Sequence, residues 1–374
     1  MLIIAEIGTS HEGDLDKAYS LIDAAAEAGA DAIKFQWVYA DEILHPLTGF
    51  VDLPTGRIPL YERFRQLECP PSFYKNLLDY THKKGCKFCC SPFGLKSLNE
   101  LLELQPDYVK IASPELNHYK MLEALRDYRA GQVKDGKEPV PVIISSGVSK
   151  MADIEKAFEI LGRDGVSFLH CVTSYPAPEA DYKLGVMRSL GKVFGVEYGV
   201  SDHSLDPMLV PSLCAANGGR IIEKHFTLSK KTSGLDDPVA LEPEQFALMV
   251  HAVGQTQALM KRYGRERGLE EVIKQFSESF SREQIEKMLF DCKKELAHSE
   301  EANYGRTNRS LHFMRDMKKG EVIGQGDIAI LRTEKVLSVG ISPAFYDMMM
   351  GASLTCDVKN GEGLQFNHVI NYQK

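Results

Sequence analysis

Three ionisable residues in a row, Glu223, Lys224 and His225, end the apolar run RIIEKH (220–225), and seven other short apolar runs end in polar groups too. LIIAE (2–6) ends in Glu6, AIKFQ (32–36) carries Lys34 and Gln36, KFCCS (87–91) ends in Ser91, and YVKIA (108–112) carries Lys110 and leads to Ser113. VIISS (142–146) ends in Ser145 and Ser146, SFLHC (167–171) leads to Thr173 and Tyr175, and EYGVS (197–201) reaches Ser201 and then His203. Two lysines with hydroxyl donors on separate runs make a cradle for phosphate or carboxylate, because each contact is charge-assisted or adds a donor. A lysine so placed can instead be a Schiff-base nucleophile, or only an ion-pair partner. His203 and His225 end consecutive runs, so their imidazoles can approach one divalent cation, Mn²⁺, Mg²⁺ or Zn²⁺, with Glu6 or Asp236 as carboxylate partner. A purely structural histidine pair is the plain alternative. No convincing cysteine ligand accompanies them, which disfavours a thiolate zinc site.

The eight runs are strand candidates, and the segments between them, such as DLDKAYSLIDAAAEAGA (14–30) and SFYKNLLDYTHKKG (72–85), have helical apolar spacing and end at glycine or shortly after it. Nearly continuous apolar strands alternating with helices predict an α/β fold, a closed (β/α)8 TIM barrel, with an open doubly wound sheet as the lesser alternative. In such a barrel the chemistry gathers at the C-terminal ends of the strands, where all eight polar endings fall. The strand period of two puts Glu223 and His225 on one side and Lys224 on the other.

The chain has 374 residues, 44% hydrophobic and 26% charged, with a net charge of −8 and no apolar run long enough to span a bilayer. These values predict one large and one smaller domain, no membrane association and no non-specific nucleic-acid binding. The start, MLIIAEIGTS, lacks a basic leader region, and the eight cysteines sit mostly in apolar settings, so a cytoplasmic protein with reduced thiols is expected. CKFCC (86–90) contains a C-x-x-C spacing without a second pair, weak support for a metal or redox role. The barrel is expected over 1–264, a charged helical linker over 265–303, and a small β-rich module over 304–374. That tail contains a loose internal echo, MKKGEVIGQGDI (317–328) against VKNGEGLQFNHV (358–369).

IIAEIGTSHEGDLDKAYSLIDAAAEAGADAIKFQ resembles the opening of the sialic acid (N-acetylneuraminate) synthase family, which includes legionaminic and pseudaminic acid synthases and spore-coat polysaccharide homologues. The likeness continues through CSPF (90–93), YVKIASPEL (108–116), ISSGV (144–148), HCVTSYPAP (170–178), GVSDHSLDP (199–207) and IIEKHFTLSKKTSGLDDPVALEP (221–243). In the tail, NRSLHFMRDMKKGEVIGQGDIAILR and GISPAFYDMMMGASLTCDV resemble the antifreeze-like (SAF) domain that follows the barrel in these enzymes.

The resemblance implies condensation of phosphoenolpyruvate with an N-acetylated hexose to a nonulosonic acid and phosphate. It places Lys34, Ser91, Lys110, Ser113, Ser145 and Ser201 on phosphoenolpyruvate, and His203 and His225 on Mn²⁺ or Mg²⁺. Glu6, Gln36, Glu115, Tyr175, Glu223 and Asp236 would face the sugar, the metal or its water, with Glu6, Glu223 and Asp236 as the catalytic carboxylates. Arg309 would reach the N-acetyl group in the partner subunit's barrel, making a domain-swapped homodimer. The chain departs from the family pattern at Ser10, Ser91, Pro114 and Thr173 and in its long linker, changes that spare the phosphoenolpyruvate end and bear on the sugar. Two other readings are a phosphoenolpyruvate-condensing barrel acting on a phosphorylated aldose, and a catalytically silent sugar-binding barrel.

Overall fold

The structure, a computed structural model, describes residues 1–53, 56–232 and 234–370. Ser233 in the motif at 221–243 and the last four residues of the expected tail module lie outside the described residues. Twelve strands are present among those described: β1 Leu2–Gly8, β2 Ala32–Trp37, β3 Phe50–Leu53, β4 Gly56–Pro59, β5 Lys87–Pro92, β6 Tyr108–Ile111, β7 Val142–Ser145, β8 Val166–Cys171, β9 Tyr198–Asp202, β10 Ile221–His225, β11 Arg309–Phe313 and β12 Ile328–Arg332. β1, β2 and β5 to β10 form a closed parallel barrel in which β10 pairs with β1, Leu2 opposite Ile221 and Glu6 opposite His225. The open-sheet alternative is thereby excluded.

Alternation along each strand sorts side chains between barrel interior and helical shell. Ile3, Ala5 and Ile7 join the shell cluster, whereas Ile4, Ala32, Ile143, Leu169 and Ile221 pack together as a separate apolar plug. Two residues further along the same strands stand Glu6, Lys34, Ser145, Cys171 and Glu223. The plug therefore forms a dry floor, and the next inward positions toward the C-terminal ends are polar. Burying ammonium and carboxylate groups there is tolerable because they neutralise one another.

Local signals fix the surrounding helices. Asp14 caps the helix Leu15–Glu27 by accepting from the Lys17 N–H at 3.0 Å, a contact worth about 1 kcal/mol. Ala18, Leu21, Ile22 and Ala25 form its buried stripe. The hairpin β3–β4, which the strand patterning missed, sits in the long β2–β5 connection. The helix Pro243–Phe276 closes the barrel and is interrupted at Gly264, whose φ of 71° is left-handed.

The C-terminal domain has its own core around Leu311, Phe313, Ile328 and Leu364, and β11 and β12 run antiparallel. It docks over the C-terminal end of its own chain's barrel. Thr48 Oγ1 donates to the Thr333 carbonyl at 3.0 Å, Asn117 Nδ2 donates to the Arg309 carbonyl at 2.8 Å, and His45 Nε2 lies 2.8 Å from Asn360 Oδ1. All eight cysteines are free. No described helix is long and apolar enough to cross a membrane.

Candidate active site

Directly above the apolar floor lies a small cavity of about 50 Å³ lined by Glu6, Lys34, Gln36, Ser91, Lys110, Ser113, Tyr175, Ser201, His203, Glu223 and His225. Seven barrel strands or the turns that follow them contribute to it, so the polar strand endings seen in the sequence converge in space. Both lysines close on one carboxylate oxygen. Lys34 Nζ is 2.9 Å and Lys110 Nζ 3.3 Å from Glu223 Oε1, to which Ser201 Oγ also donates at 2.9 Å. Lys34 also lies 3.1 Å from Glu6, and Gln36 Nε2 donates to Glu6 Oε1 at 2.8 Å.

These contacts split the two carboxyls. Burial raises the Glu6 pKa, Lys34 opposes it and Glu223 adds to it, leaving the group above its usual value. Burial also penalises ionised Glu223, but Lys110 and Lys34 outweigh it and hold its pKa far below the carboxylate range. For Lys34, burial is outweighed by Glu223 and Glu6 and the pKa rises, whereas for Lys110 burial prevails and the pKa falls.

The Ser91 and Ser145 hydroxyls are buried with no hydrogen-bond partner among the described residues. Unpaired donors beside two ammonium groups are what an anion would satisfy. Ser145 does not line the cavity itself; its turn meets the lining residue Ser113, to whose Oγ the Gly147 N–H donates at 2.9 Å.

His203 and His225 stand with ring centroids 5.3 Å apart, and Tyr175 stacks on His203 at 4.3 Å. His203 Nδ1 lies 2.8 Å from the Val172 carbonyl, which fixes the proton on Nδ1 and leaves Nε2 as the lone-pair nitrogen. Asp236 Oδ2 is 3.8 Å from His225 Nδ1. Two imidazoles with a nearby carboxylate fit a divalent cation with open positions. Among the described residues no cluster of three such ligands is drawn tightly together, so substrate or water would have to complete the shell.

Above this cavity opens a chamber of about 240 Å³, sharing Gln36, Phe93, Ala112, Pro114 and Tyr175 with it. Its outer wall includes Thr9, Thr173 and Asp236 from the barrel and Thr307, Arg332 and Glu334 from the C-terminal domain. A wider cavity of about 620 Å³ lies at the opposite end of the barrel and contains no cation or imidazole.

Two residues expected to face the sugar stand elsewhere. Glu115 is fully buried between two guanidiniums, accepting from Arg309 Nε on one oxygen and from Arg332 Nε at 3.0 Å on the other. Arg309 spends its remaining donors on the carbonyls of Glu42 and Phe93. Neither lines cavity or chamber, and Arg309 makes these contacts to the barrel of its own chain. The cation that does face the chamber is Arg332, which sequence reasoning missed: ILR in a short tail strand has no local mark separating it from other tail arginines. Cys171, one of the cysteines whose apolar sequence settings suggest no more than a reduced thiol, also stands in the inner wall.

Over residues 21–265 the chain matches the NeuB family, and over residues 308–370 the SAF domain. It is 29% identical over 376 residues to the spore coat polysaccharide biosynthesis protein SpsE of Bacillus subtilis, covering 99% of this chain and 94% of that protein. The crystal structure of SpsE superposes with a TM-score of 0.79, covering 100% and 96% of the two chains. Identity is 30% over 370 residues to the N,N'-diacetyllegionaminic acid synthase of Campylobacter jejuni, covering 96% and 98%. It is 29% over 373 residues to a pseudaminic acid synthase of that species, covering 98% and 95%.

Proposed function

The chain belongs to the NeuB family and ends in a SAF domain, and from that premise we propose that it condenses phosphoenolpyruvate with an N-acetylated hexose, N-acetylmannosamine or a related amino sugar, to a nonulosonic acid and phosphate. The observation that carries this reading is the convergence of Lys34, Lys110, Ser91, Ser113 and Ser201 in one buried cavity beneath a larger chamber.

Phosphoenolpyruvate would sit in the inner cavity, its anionic groups taking the two ammonium groups and the unpaired hydroxyls. Its carbon 3 would then point up to the aldehyde of an open-chain sugar in the chamber. Holding the two in register supplies a large share of the rate. Bond formation leaves an alkoxide on the sugar and positive charge at carbon 2. Water adds at carbon 2, and collapse of that centre breaks the carbon–oxygen bond and releases phosphate. Glu6, with its raised pKa, is suited to deliver the proton to the alkoxide, while ionised Glu223 is suited to orient the attacking water. Asp236 joins them from the chamber wall. A divalent cation such as Mn²⁺ or Mg²⁺ held by His203 and His225 would supply Lewis-acid polarisation of the aldehyde oxygen.

A phosphorylated aldose would need a second anion cradle. Among the described residues lining the chamber, Arg332 is the one cation, already paired to Glu115 and accompanied by Asp236 and Glu334. This favours an uncharged acceptor. The Glu115 contacts with Arg309 and Arg332 would serve equally in a homodimer whose tails are exchanged, and sedimentation reads that stoichiometry.

The test is phosphate release by the purified protein given phosphoenolpyruvate, Mn²⁺ and a panel of N-acetylated hexoses. Release with one or more of them is expected. Release only with phosphorylated aldoses, or with no sugar at all, would sink the reading.

A further inference from the structure

The turn after β7 holds a β-branched residue in a conformation such residues rarely adopt: Val148 has φ 42°, in the left-handed region. Its neighbour has no room to change. A Cβ on Gly147 would stand 2.0 Å from Thr173 Oγ1 and 3.0 Å from Ser113 Oγ. Something must hold Val148 there, and every side chain that bonds this backbone from outside the barrel comes from the linker to the C-terminal domain or from the first residues of that domain. The Val148 N–H donates to the Glu300 carboxylate, whose residue is buried. The Val148 carbonyl accepts from Asn308 Nδ2 at 3.0 Å, and the Ser146 carbonyl accepts from Lys294 Nζ at 3.4 Å. The linker is also tied down beyond the turn, with Asn303 Nδ2 donating to the Thr173 carbonyl at 3.2 Å.

We propose that the linker and the start of the C-terminal domain are part of the anion-binding apparatus, with Glu300 and Asn308 as positioning residues. By fixing Val148 in the left-handed conformation they set the turn so that the Gly147 N–H meets the hydroxyl oxygen of Ser113, which lines the inner cavity, and so orient that hydroxyl toward the bound anion. The inference rests on the proposed use of the inner cavity for phosphoenolpyruvate. Without Glu300, the buried Val148 N–H loses its acceptor and the strained conformation loses its restraint, so the turn relaxes toward ordinary geometry.

Calorimetric titration of the full-length protein with phosphoenolpyruvate, and separately with inorganic phosphate, tests this. Glu300→Ala is expected to weaken both about ten- to hundredfold, the span of a lost charge-assisted hydrogen bond. KM for phosphoenolpyruvate should rise and KM for the sugar stay within about threefold. Glu300→Gln, which keeps an acceptor oxygen, should bind within a few fold of wild type. Val148→Gly in the Glu300→Ala background should recover most of the loss, because glycine adopts left-handed φ without help. If Glu300→Ala does not fold, Asn308→Ala gives the same readout. Wild-type binding with Glu300→Ala indistinguishable from it, or a loss that Val148→Gly leaves unchanged, would overturn the inference alone. A wild-type protein that binds neither ligand would overturn the functional reading and this inference with it.

Discussion

Glu6 and Glu223 share one ammonium group, that of Lys34, 3.1 Å from the first and 2.9 Å from the second, yet their surroundings push their proton affinities in opposite directions. The difference is Lys110, which reaches Glu223 only. Glu6→Gln and Glu223→Gln are each expected to lower kcat by about a hundredfold or more, the usual weight of a positioned proton-transfer group. They should differ in anion binding. Glu223→Gln removes the counterion that the two lysines share, leaving Lys34 only Glu6 and Lys110 none at ion-pair distance, so phosphoenolpyruvate should bind at least as tightly as in wild type. A clear loss of binding in Glu223→Gln would contradict this account of the cavity.

His225→Ala should abolish metal-stimulated turnover while leaving phosphoenolpyruvate binding within a few fold, since the imidazole stands outside the lysine and serine set. Turnover with and without added Mn²⁺, alongside calorimetry for phosphoenolpyruvate, checks both halves. Full activity in the variant would remove the imidazole pair from the chemistry.

Arg332 and Arg309 hold the same carboxylate but face different surroundings, so their losses should separate. Arg332→Ala should raise KM for the acceptor sugar about tenfold or more with little change in KM for phosphoenolpyruvate. Arg309→Ala should chiefly loosen the docked C-terminal domain, seen as faster proteolysis between the domains. An acceptor-specific KM increase in Arg309→Ala without loss of docking would restore the sugar-binding role that the family resemblance assigns to it.

Glu115 makes the docking pH-sensitive in a defined sense. Burial raises its pKa, but Arg309 and Arg332 outweigh that and leave it below the ordinary value of 4.5. A depressed folded-state pKa contributes stability that is complete above the unfolded pKa and is lost as pH falls through the folded one. Thermal unfolding should therefore show no Glu115-dependent change from neutral pH down to about 5, and a decline below about 4.5. Glu115→Ala should remove that acid-dependent part and cost about 3–5 kcal/mol, as two guanidiniums lose their buried partner. Equal acid sensitivity in wild type and variant would assign the decline to other groups.

The barrel was legible because its signal is local and repeated. Each of the eight apolar runs lies within one or two residues of an observed strand, and alternation placed Lys224 away from Glu223 and His225; it pairs with Asp202 at 2.6 Å instead. The convergence of strand endings followed from barrel geometry without any knowledge of contacts. What was not legible depends on docking. Glu115 carries the look of a strand-end carboxylate, and only the position of the C-terminal domain shows it spent on two arginines. Arg332 enters the chamber for the same reason. Val148 reads as one more apolar residue, since no sequence pattern marks a valine held at positive φ.

One wall of the chamber is built from Thr307, Arg332 and Glu334, residues of a domain with its own separate core. The acceptor chamber of the proposed reaction is thus shared between two stretches of gene, whereas the lysine cradle belongs to the barrel alone. A relative's tail grafted at the start of β11 would carry its Arg332 and Glu334 counterparts with it and leave the lysine cradle untouched. Under the proposed function, exchanging the 3′ end of the reading frame would alter one wall of the acceptor chamber without altering the residues that hold phosphoenolpyruvate.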